Sequence, residues 1–291
     1  MVVENLERLA WEQIETYPKG TPIRFLLEKP AKELARFKEA VSLLPTPEQF
    51  IAQERKILEQ KGFSASNVEF PSTKLLGEVM EVWRRAVELG FTSMQAHIIP
   101  GVNLEKHQHY PASWVRLRDW YWQQIGQNIA KDAAILAPGH ILIDTTPKPN
   151  YDNGKQLYEA DSFGPMMQLL REERKIIVPD NYRHVPQTSR FAVQPIERET
   201  SFNLAFAQIL KVDANQVRLP TAAENNFIGN LWHKELGQND TWEWYADAFE
   251  VDDRLVGGDS GSGGLADVSY DWSDARYDYI GFRPLVVFPS K

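Results

Sequence analysis

The 291-residue sequence contains no cysteine. This absence excludes disulfides, zinc–thiolate sites, thiol nucleophiles and cysteine-ligated iron–sulfur clusters. Basic residues are too few to balance the acidic ones, since 32 Lys and Arg against 40 Asp and Glu leave a net charge of −8. Nucleic-acid binding usually needs a basic surface, so we expect no nucleic-acid partner.

Long apolar runs are also missing, and none approaches the roughly 18 residues of a membrane span. The N-terminus is acidic, whereas a signal peptide begins basic and then becomes apolar. We therefore expect synthesis in the cytoplasm, without a cleaved leader and without membrane insertion.

The first ninety residues show the three- and four-residue spacing of apolar side chains that is typical of helices, for example over residues 30–44. The segment 46–60 begins with Thr-Pro-Glu-Gln, a helix-start pattern in which the hydroxyl caps the first turn. A further helix is predicted within residues 71–90. We expect residues 1–90 to form a helical region that packs on the rest of the chain.

The remaining residues, 91–291, mix short apolar runs with helical patterns. The pattern predicts an α+β fold with long loops and no helix after residue 241. The expected strands are 94–99, 140–143, 176–178 and 282–288, and the expected helices are 114–125, 163–174, 202–210 and 221–232.

Two motifs could indicate catalysis. His107 and His109 alternate and could place two imidazoles on one face of a strand, although a polar loop of this kind is more often solvated surface. Residues 258–261, Gly-Asp-Ser-Gly, resemble the nucleophile motif of serine hydrolases, but Gly263 and Gly264 prevent the helix that a nucleophile elbow needs. We predict no catalytic residue, no metal site and no cofactor.

The composition of residues 251–290 is unusual, because this segment contains no Lys, Glu, Gln, Met or Asn. It is rich in Gly, Asp, Ser and Tyr, the residues with which antibody loops make adaptable contacts. The alternative is an inert glycine-rich surface loop. Tyr270, Tyr277 and Tyr279 favour a contact surface, because exposed aromatic side chains without a partner reduce solubility.

Residues 217–224, VRLPTAAE, resemble the RLPTEAEWE segment of the formylglycine-generating-enzyme group, a branch of the C-type lectin fold. The resemblance continues through residues 242–244 and 257–260, Arg276, and Ile-Gly-Phe-Arg at 280–283. It covers about 75 C-terminal residues and implies a C-type lectin fold with a helical N-terminal extension. The cysteine pair of the formylglycine-generating enzymes is missing here, so their activity is not implied.

A second resemblance is to the variable proteins of diversity-generating retroelements, C-type lectin-fold binders whose C-terminal region is rewritten at adenines. Residues 245–283 look like such a variable region. Template codons AAC or AAT that are randomised at their adenines cannot encode Lys, Glu, Gln, Met or Trp. The first four of these are absent from residues 251–290, and Trp272 would then belong to the scaffold.

This resemblance implies a division between displayed and scaffold residues. Gly257, Gly258, Gly263 and Gly264 are expected to permit positive φ, and Arg276 and Arg283 to bind loop carbonyls or carboxylates such as Asp267. Leu265, Trp272, Ile280 and Phe282 are expected to anchor the loop to the core, and Gly281 is the remaining scaffold residue. The displayed residues are Gly261, Ser262, Ser269, Tyr270, Asp271, Asp274, Ala275, Tyr277 and Tyr279, with Tyr245 and Asp247 at the rim.

The sequence thus predicts a non-catalytic binding protein, monomeric, whose ligand is a protein surface. A glycan or a small molecule is the alternative ligand, and attachment to a virion is the alternative to a cellular role. The competing function is a metal-dependent oxidase of the formylglycine-generating or sulfoxide-synthase group with altered ligands near His97, His107 or His109.

Overall fold

The computed structural model describes residues 39–105, 111 and 113–289. Most of the predicted stripe at 30–44, and both His107 and His109, lie outside the described residues. Two helices open the described part, α1 (Pro47–Gln60) and α2 (Leu76–Glu88). Helix α1 begins where the sequence predicts, because Thr46 and Gln49 form a complete capping box.

The other helices are short and lie between the strands. They are α3 (Asp119–Gln124), α4 (Gly164–Glu172), α5 (Pro195–Glu197), α6 (Asn203–Leu210) and α7 (Ala222–Leu231), with a π-helical turn over Arg198–Phe202 that joins α5 to α6. Helix α7 begins with a capping box of Thr221 and Glu224, and Glu224 also forms a forked ion pair with Arg218. Residues 217–224, which carry the lectin-type resemblance, therefore form the end of a strand and the start of α7, and the Arg218–Glu224 ion pair joins the two.

The first sheet is antiparallel and has the order β1-β4-β10-β5. Its strands are β1 (Met94–Ile99), β4 (Gly139–Asp144), β5 (Val217–Arg218) and β10 (Leu285–Pro289). Strands β2 (Val102–Asn103) and β3 (Ile135–Leu136) form a separate pair. Apolar residues of α1, α2 and the first sheet share one continuous core, so residues 39–90 are packed directly on the strands.

The second sheet has the order β8-β7-β6-β9, and it carries most of the segment singled out by composition. Its strands are β6 (Trp242–Phe249), β7 (Asp253–Gly257), β8 (Val268–Trp272) and β9 (Ile280–Gly281). Strands β6, β7 and β8 run antiparallel, with an irregularity in β6 between Trp244 and Ala248, and β9 runs parallel to β6. Strand β8 lies at one edge of the sheet.

The α+β fold class is confirmed, but three predicted elements differ. Residues 176–178 form no strand, because the N–H of Ile177 donates to the carboxylate of Glu197 instead of to a ladder. Of the helix predicted over 114–125, only α3 forms. The last strand begins at Leu285 rather than at Phe282, because Pro284 has no N–H to give to a sheet.

No helix in the described part of the chain combines the length and the apolar character that a membrane crossing requires.

Candidate ligand-binding surface

Strand β8 divides the predicted displayed residues between two faces of the second sheet. Side chains alternate along a strand, so Tyr270 and Trp272 point to one face and Ser269 and Asp271 to the other. The contacts agree, since Tyr270 stacks on Phe249 while Asp271 accepts a hydrogen bond from another residue, Tyr277. The predicted residues therefore do not form a single face.

The face of Asp271 carries a group of four tyrosines, Tyr151, Tyr182, Tyr277 and Tyr279, which we call the tyrosine cluster. The ring centroids of Tyr277 and Tyr279 are 5.3 Å apart, and those of Tyr151 and Tyr279 are 6.5 Å apart. Tyr151 is 44% exposed and Tyr279 is 36% exposed, whereas the other two are half-buried. The cluster therefore presents aromatic surface to solvent while its base is packed.

Carboxylates lie among these tyrosines. The Tyr277 hydroxyl donates a hydrogen bond to the Asp271 carboxylate. Burial raises the pKa of Tyr277, and the Asp271 carboxylate raises it further. Burial also raises the pKa of Tyr279, and Asp271 again adds to the shift. Both phenols therefore stay protonated at neutral pH and can act as hydrogen-bond donors beside negative charge.

A histidine–aspartate pair lies next to the tyrosine cluster. His184 Nε2 is 2.9 Å from Asp278 Oδ2, and the Tyr151 hydroxyl lies 3.4 Å from the same oxygen. Gly154, at φ +78°, makes room for this pair, because a Cβ there would lie 2.4 Å from His184 Nε2. Three separate loops therefore meet at Asp278.

The main chain of residues 274–279 is held through its carbonyl oxygens. The carbonyl of Tyr277 accepts from the N–H of Ala192 at 3.0 Å, and that of Tyr279 accepts from the N–H of Trp242 at 3.0 Å. Three side chains donate to three further carbonyls: Tyr182 to Arg276, Gln194 to Asp274 and Gln156 to Asp278. None of these five donors belongs to the segment 251–290, so these main-chain bonds do not depend on the side chains of the loop.

The opposite face of the second sheet carries an aromatic stack. Tyr270 lies on Phe249 with ring centroids 4.1 Å apart and on Trp120 at 5.9 Å, and 45% of its surface is exposed. Trp272 was expected to anchor the loop to the core, and this prediction is wrong, because Trp272 is 64% exposed and lines an acidic cleft of about 650 Å³. Under the retroelement resemblance, position 272 would still be invariant, because randomised AAC or AAT codons cannot encode Trp.

Tyr245 and Asp247 do not lie on an exposed rim. Tyr245 is only 3% exposed, and its hydroxyl accepts a hydrogen bond from Asn225. Asp247 accepts from the backbone N–H of Ala222 at 2.7 Å and so caps the start of α7. Both residues therefore belong to the scaffold and not to the displayed surface, because their side chains contact helix α7.

Burial raises the pKa of Asp247 from 3.8 to about 6. The folded protein then binds this proton more readily than the unfolded chain, so stability falls as the pH rises from about 4 to 6 and stays lower above it. Asp247→Asn removes the buried charge and keeps an acceptor for Ala222. We expect the variant to be more stable than the wild type by about 1–3 kcal/mol at pH 8 and nearly equal to it at pH 4.

Urea unfolding at both pH values measures this difference, with Asp274→Asn at an exposed position as the control. An equal loss of stability at pH 4 and pH 8 would show that the hydrogen bond to Ala222, and not the burial of charge, determines the contribution of Asp247.

The glycine loop, residues 257–264, adopts positive φ at three of the four predicted glycines. The angles are +87° at Gly258, +123° at Gly263 and +61° at Gly264. Gly257 is the exception. It lies in β7 against the carbonyl of Asp267, where there is no space for a side chain. Gly261 and Ser262 lie exposed at the tip of this loop, away from the sheet faces that carry the tyrosines.

The two predicted arginines bind carboxylates, but not Asp267. Arg276 donates to Glu197 of α5, and Asp267 instead receives Arg118 Nη2 at 2.6 Å. Burial raises the pKa of Asp267 to about 6, against the lowering effect of the Arg118 charge. The prediction that Arg276 or Arg283 binds Asp267 is therefore wrong, because Asp267 forms its ion pair with Arg118, at the start of α3.

Arg283 lies in a buried ionic network. It donates to both carboxylate oxygens of Glu243, at 2.9 and 3.2 Å, and to the carbonyls of Asp144 and Thr146. Burial favours the neutral form of Asp144, but the charges of Arg190 and Arg283 outweigh it and lower the pKa of this carboxyl. Leu265, Ile280, Gly281 and Phe282 are buried as the scaffold prediction requires.

Four residues of the surface were not identified from the sequence. Tyr151, Tyr182, His184 and Asp278 have no common motif, and Tyr182 is 94 residues from its partner Arg276. The one local signal is a turn sequence beside each tyrosine, Asp-Asn-Gly after Tyr151 and Pro-Asp-Asn before Tyr182. Such turns are too common to indicate a binding surface.

Of the three histidines named for the competing oxidase function, the structure describes His97. This residue lies in a buried polar cluster. Its Nε2 is 2.8 Å from His233 Nε2, its Nδ1 is 3.3 Å from Glu54, and its ring stacks on Trp232. Within residues 39–105, 111 and 113–289, no three His, Asp or Glu side chains are arranged to hold a metal ion.

Comparison with known proteins gives no further assignment. No family model matches the sequence, and neither the curated proteins nor the solved structures give a significant match. The resemblance to the C-type lectin branch and to retroelement variable proteins thus depends on the motifs and composition alone.

Proposed function

We propose that this chain is a non-catalytic ligand-binding protein of C-type lectin fold, with a C-terminal segment diversified by a retroelement. Its contact surface is the tyrosine cluster with Asp271, Asp274 and Asp278, and its ligand is a protein surface. Tyrosine supplies large contact area from a side chain with few rotatable bonds, so little conformational entropy is lost on binding.

The observation that carries this proposal is the attachment of residues 274–279 through their carbonyl oxygens. A segment that tolerates many sequences cannot depend on its own side chains for its conformation. Here the donors are Gln156, Tyr182, Ala192, Gln194 and Trp242, all outside the segment. Side chains at 274, 275 and 279 can therefore change without removing the bonds that fix the backbone.

Composition supports the same proposal independently. The absence of Lys, Glu, Gln and Met from residues 251–290 is consistent with adenine-directed change of AAC or AAT codons, which cannot produce these residues at the varied positions. The five donors lie outside this stretch and include two glutamines, a residue that the scheme cannot produce.

A stability comparison tests the division into displayed and supporting residues. The triple variant Asp274→Ser, Ala275→Ser and Tyr279→Ser should keep its free energy of unfolding within about 1 kcal/mol of the wild type. Gln156→Leu should cost about 1–3 kcal/mol, because it leaves the part-buried carbonyl of Asp278 without its donor. Gln194→Leu should cost less, about 1 kcal/mol or below, because its bond to Asp274 is exposed and water can replace the donor. Chemical unfolding measures all three.

A triple variant that unfolds more easily than Gln156→Leu would contradict the proposed division. The retroelement itself has a separate test in the neighbouring DNA. We expect a near-copy of the codons for residues 255–283 that differs almost only at adenines, next to a reverse transcriptase gene. If the neighbouring DNA held no such copy, or only an identical one, the retroelement part of the proposal would be wrong. The binding surface would then still be tested by the stability comparison.

A further inference from the structure

A second cleft, of about 470 Å³, lies beside the glycine loop and is not part of the tyrosine cluster. Four parts of the chain meet there: the end of α1, residues 113–115 ahead of α3, α7 with the turn after it, and residues 260–265. Its lining includes Lys61, Ser113, Trp114, Lys234, Ser260 and Leu265.

Two lysines from separate elements line this cleft. Lys61 follows α1, and Lys234 lies in the short turn after α7. Neither Lys61 nor Lys234 has a carboxylate within 4.0 Å among the residues that the structure describes. In that part of the chain, the lysine that forms an ion pair is Lys175. Two lysines without a carboxylate partner thus line one cavity in a chain with a net charge of −8.

The cleft also offers hydroxyl groups and an apolar wall. The side-chain hydroxyls of Ser113 and Ser260 have no hydrogen-bond partner among residues 39–105, 111 and 113–289. Trp114 and Leu265 are buried and close one side of the cavity. Polar donors therefore converge on a space that a small molecule could fill.

We propose that this cleft binds a small ligand through a phosphate group. A phosphate ester carries nearly two negative charges at neutral pH and several strong acceptor oxygens. Two lysines can neutralise this charge, since lysine binds phosphate as a point charge, and the two serine hydroxyls can donate to its oxygens. A carboxylate carries a single charge and would leave one ammonium group uncompensated, so the site favours phosphate.

Calorimetric titration of the full chain at low ionic strength tests this, with inorganic phosphate as the probe and acetate as the monoanionic comparison. We expect phosphate to bind at least about tenfold more tightly than acetate. The double variant Lys61→Gln and Lys234→Gln should weaken phosphate binding about tenfold or more, a loss typical of removing charged hydrogen-bond donors.

Lys56→Gln is the matched control, because Lys56 lies on α1, is exposed and does not line the cleft. It should change phosphate affinity less than twofold, and thermal unfolding should show that all variants remain folded. Three results would overturn the assignment: no binding of phosphate at tens of millimolar, equal affinity for acetate, or equal affinity in the wild type and the double variant. None of these bears on the tyrosine cluster, so the two proposals can fail separately.

Discussion

Arg283→Met should destabilise the protein by about 3–5 kcal/mol, the largest effect that we expect from a single charge removal. The guanidinium is fully buried and binds Glu243 and two carbonyls. Its removal leaves the Glu243 carboxylate in a low-dielectric interior, with a hydrogen bond from Tyr158 and the charge of Lys148 as its remaining favourable interactions. Chemical denaturation at pH 7 measures the loss.

A double variant separates the cost of an unpaired charge from the value of the pair. Replacing a whole buried ion pair with apolar residues is often close to neutral, whereas breaking it is expensive. Arg283→Met with Glu243→Leu should therefore recover part of the stability lost in Arg283→Met. A double variant less stable than the single one would contradict this explanation. Arg183→Met serves as the control, because its ion pair with Asp180 is exposed, and it should stay within about 0.5 kcal/mol of the wild type.

Gly257→Ala should cost about 3 kcal/mol or more, because steric overlap in a packed core is destabilising. A Cβ at this position would lie 2.1 Å from the carbonyl oxygen of Asp267 and 2.9 Å from the ring of Tyr245. The first contact is with the backbone of the residue immediately before β8, so β7 and β8 would have to separate. Thermal and chemical unfolding of the variant measure the cost.

Gly261→Ala is the matched comparison within the same loop. The nearest atom to its Cβ would be Asp259 Oδ1, at 3.4 Å, an ordinary contact distance, and the residue is exposed. We expect a change of less than about 1 kcal/mol there. If both glycines tolerated alanine equally, the assignment of Gly257 to the scaffold and Gly261 to the displayed residues would lose its physical basis.

Local signals in the sequence predicted the elements well where the signal was complete. The Thr-Pro-Glu-Gln segment predicted α1, and the apolar run at 94–99 predicted β1. The prediction for 176–178 was wrong because a distant carboxylate, that of Glu197, takes the N–H of Ile177. A partner of this kind cannot be read from local spacing.

The candidate surface was predicted in part for the same reason. Composition indicated Tyr277 and Tyr279, but Tyr151 and Tyr182 reach them only through the folded loops. Alternation along β8 places Tyr270 on the opposite face, which the sequence could have shown only if the bounds of that strand were known. Burial of Tyr245 depends on α7, whose position follows from tertiary packing and not from local pattern.

The carbonyl attachment of residues 274–279 has a consequence for sibling proteins of the same design. Chains that differ at each outward position would share one main-chain path, so their binding differences would arise from chemistry and not from loop shape. A single experimentally determined backbone would then serve as the template for interpreting, or for engineering, an entire repertoire.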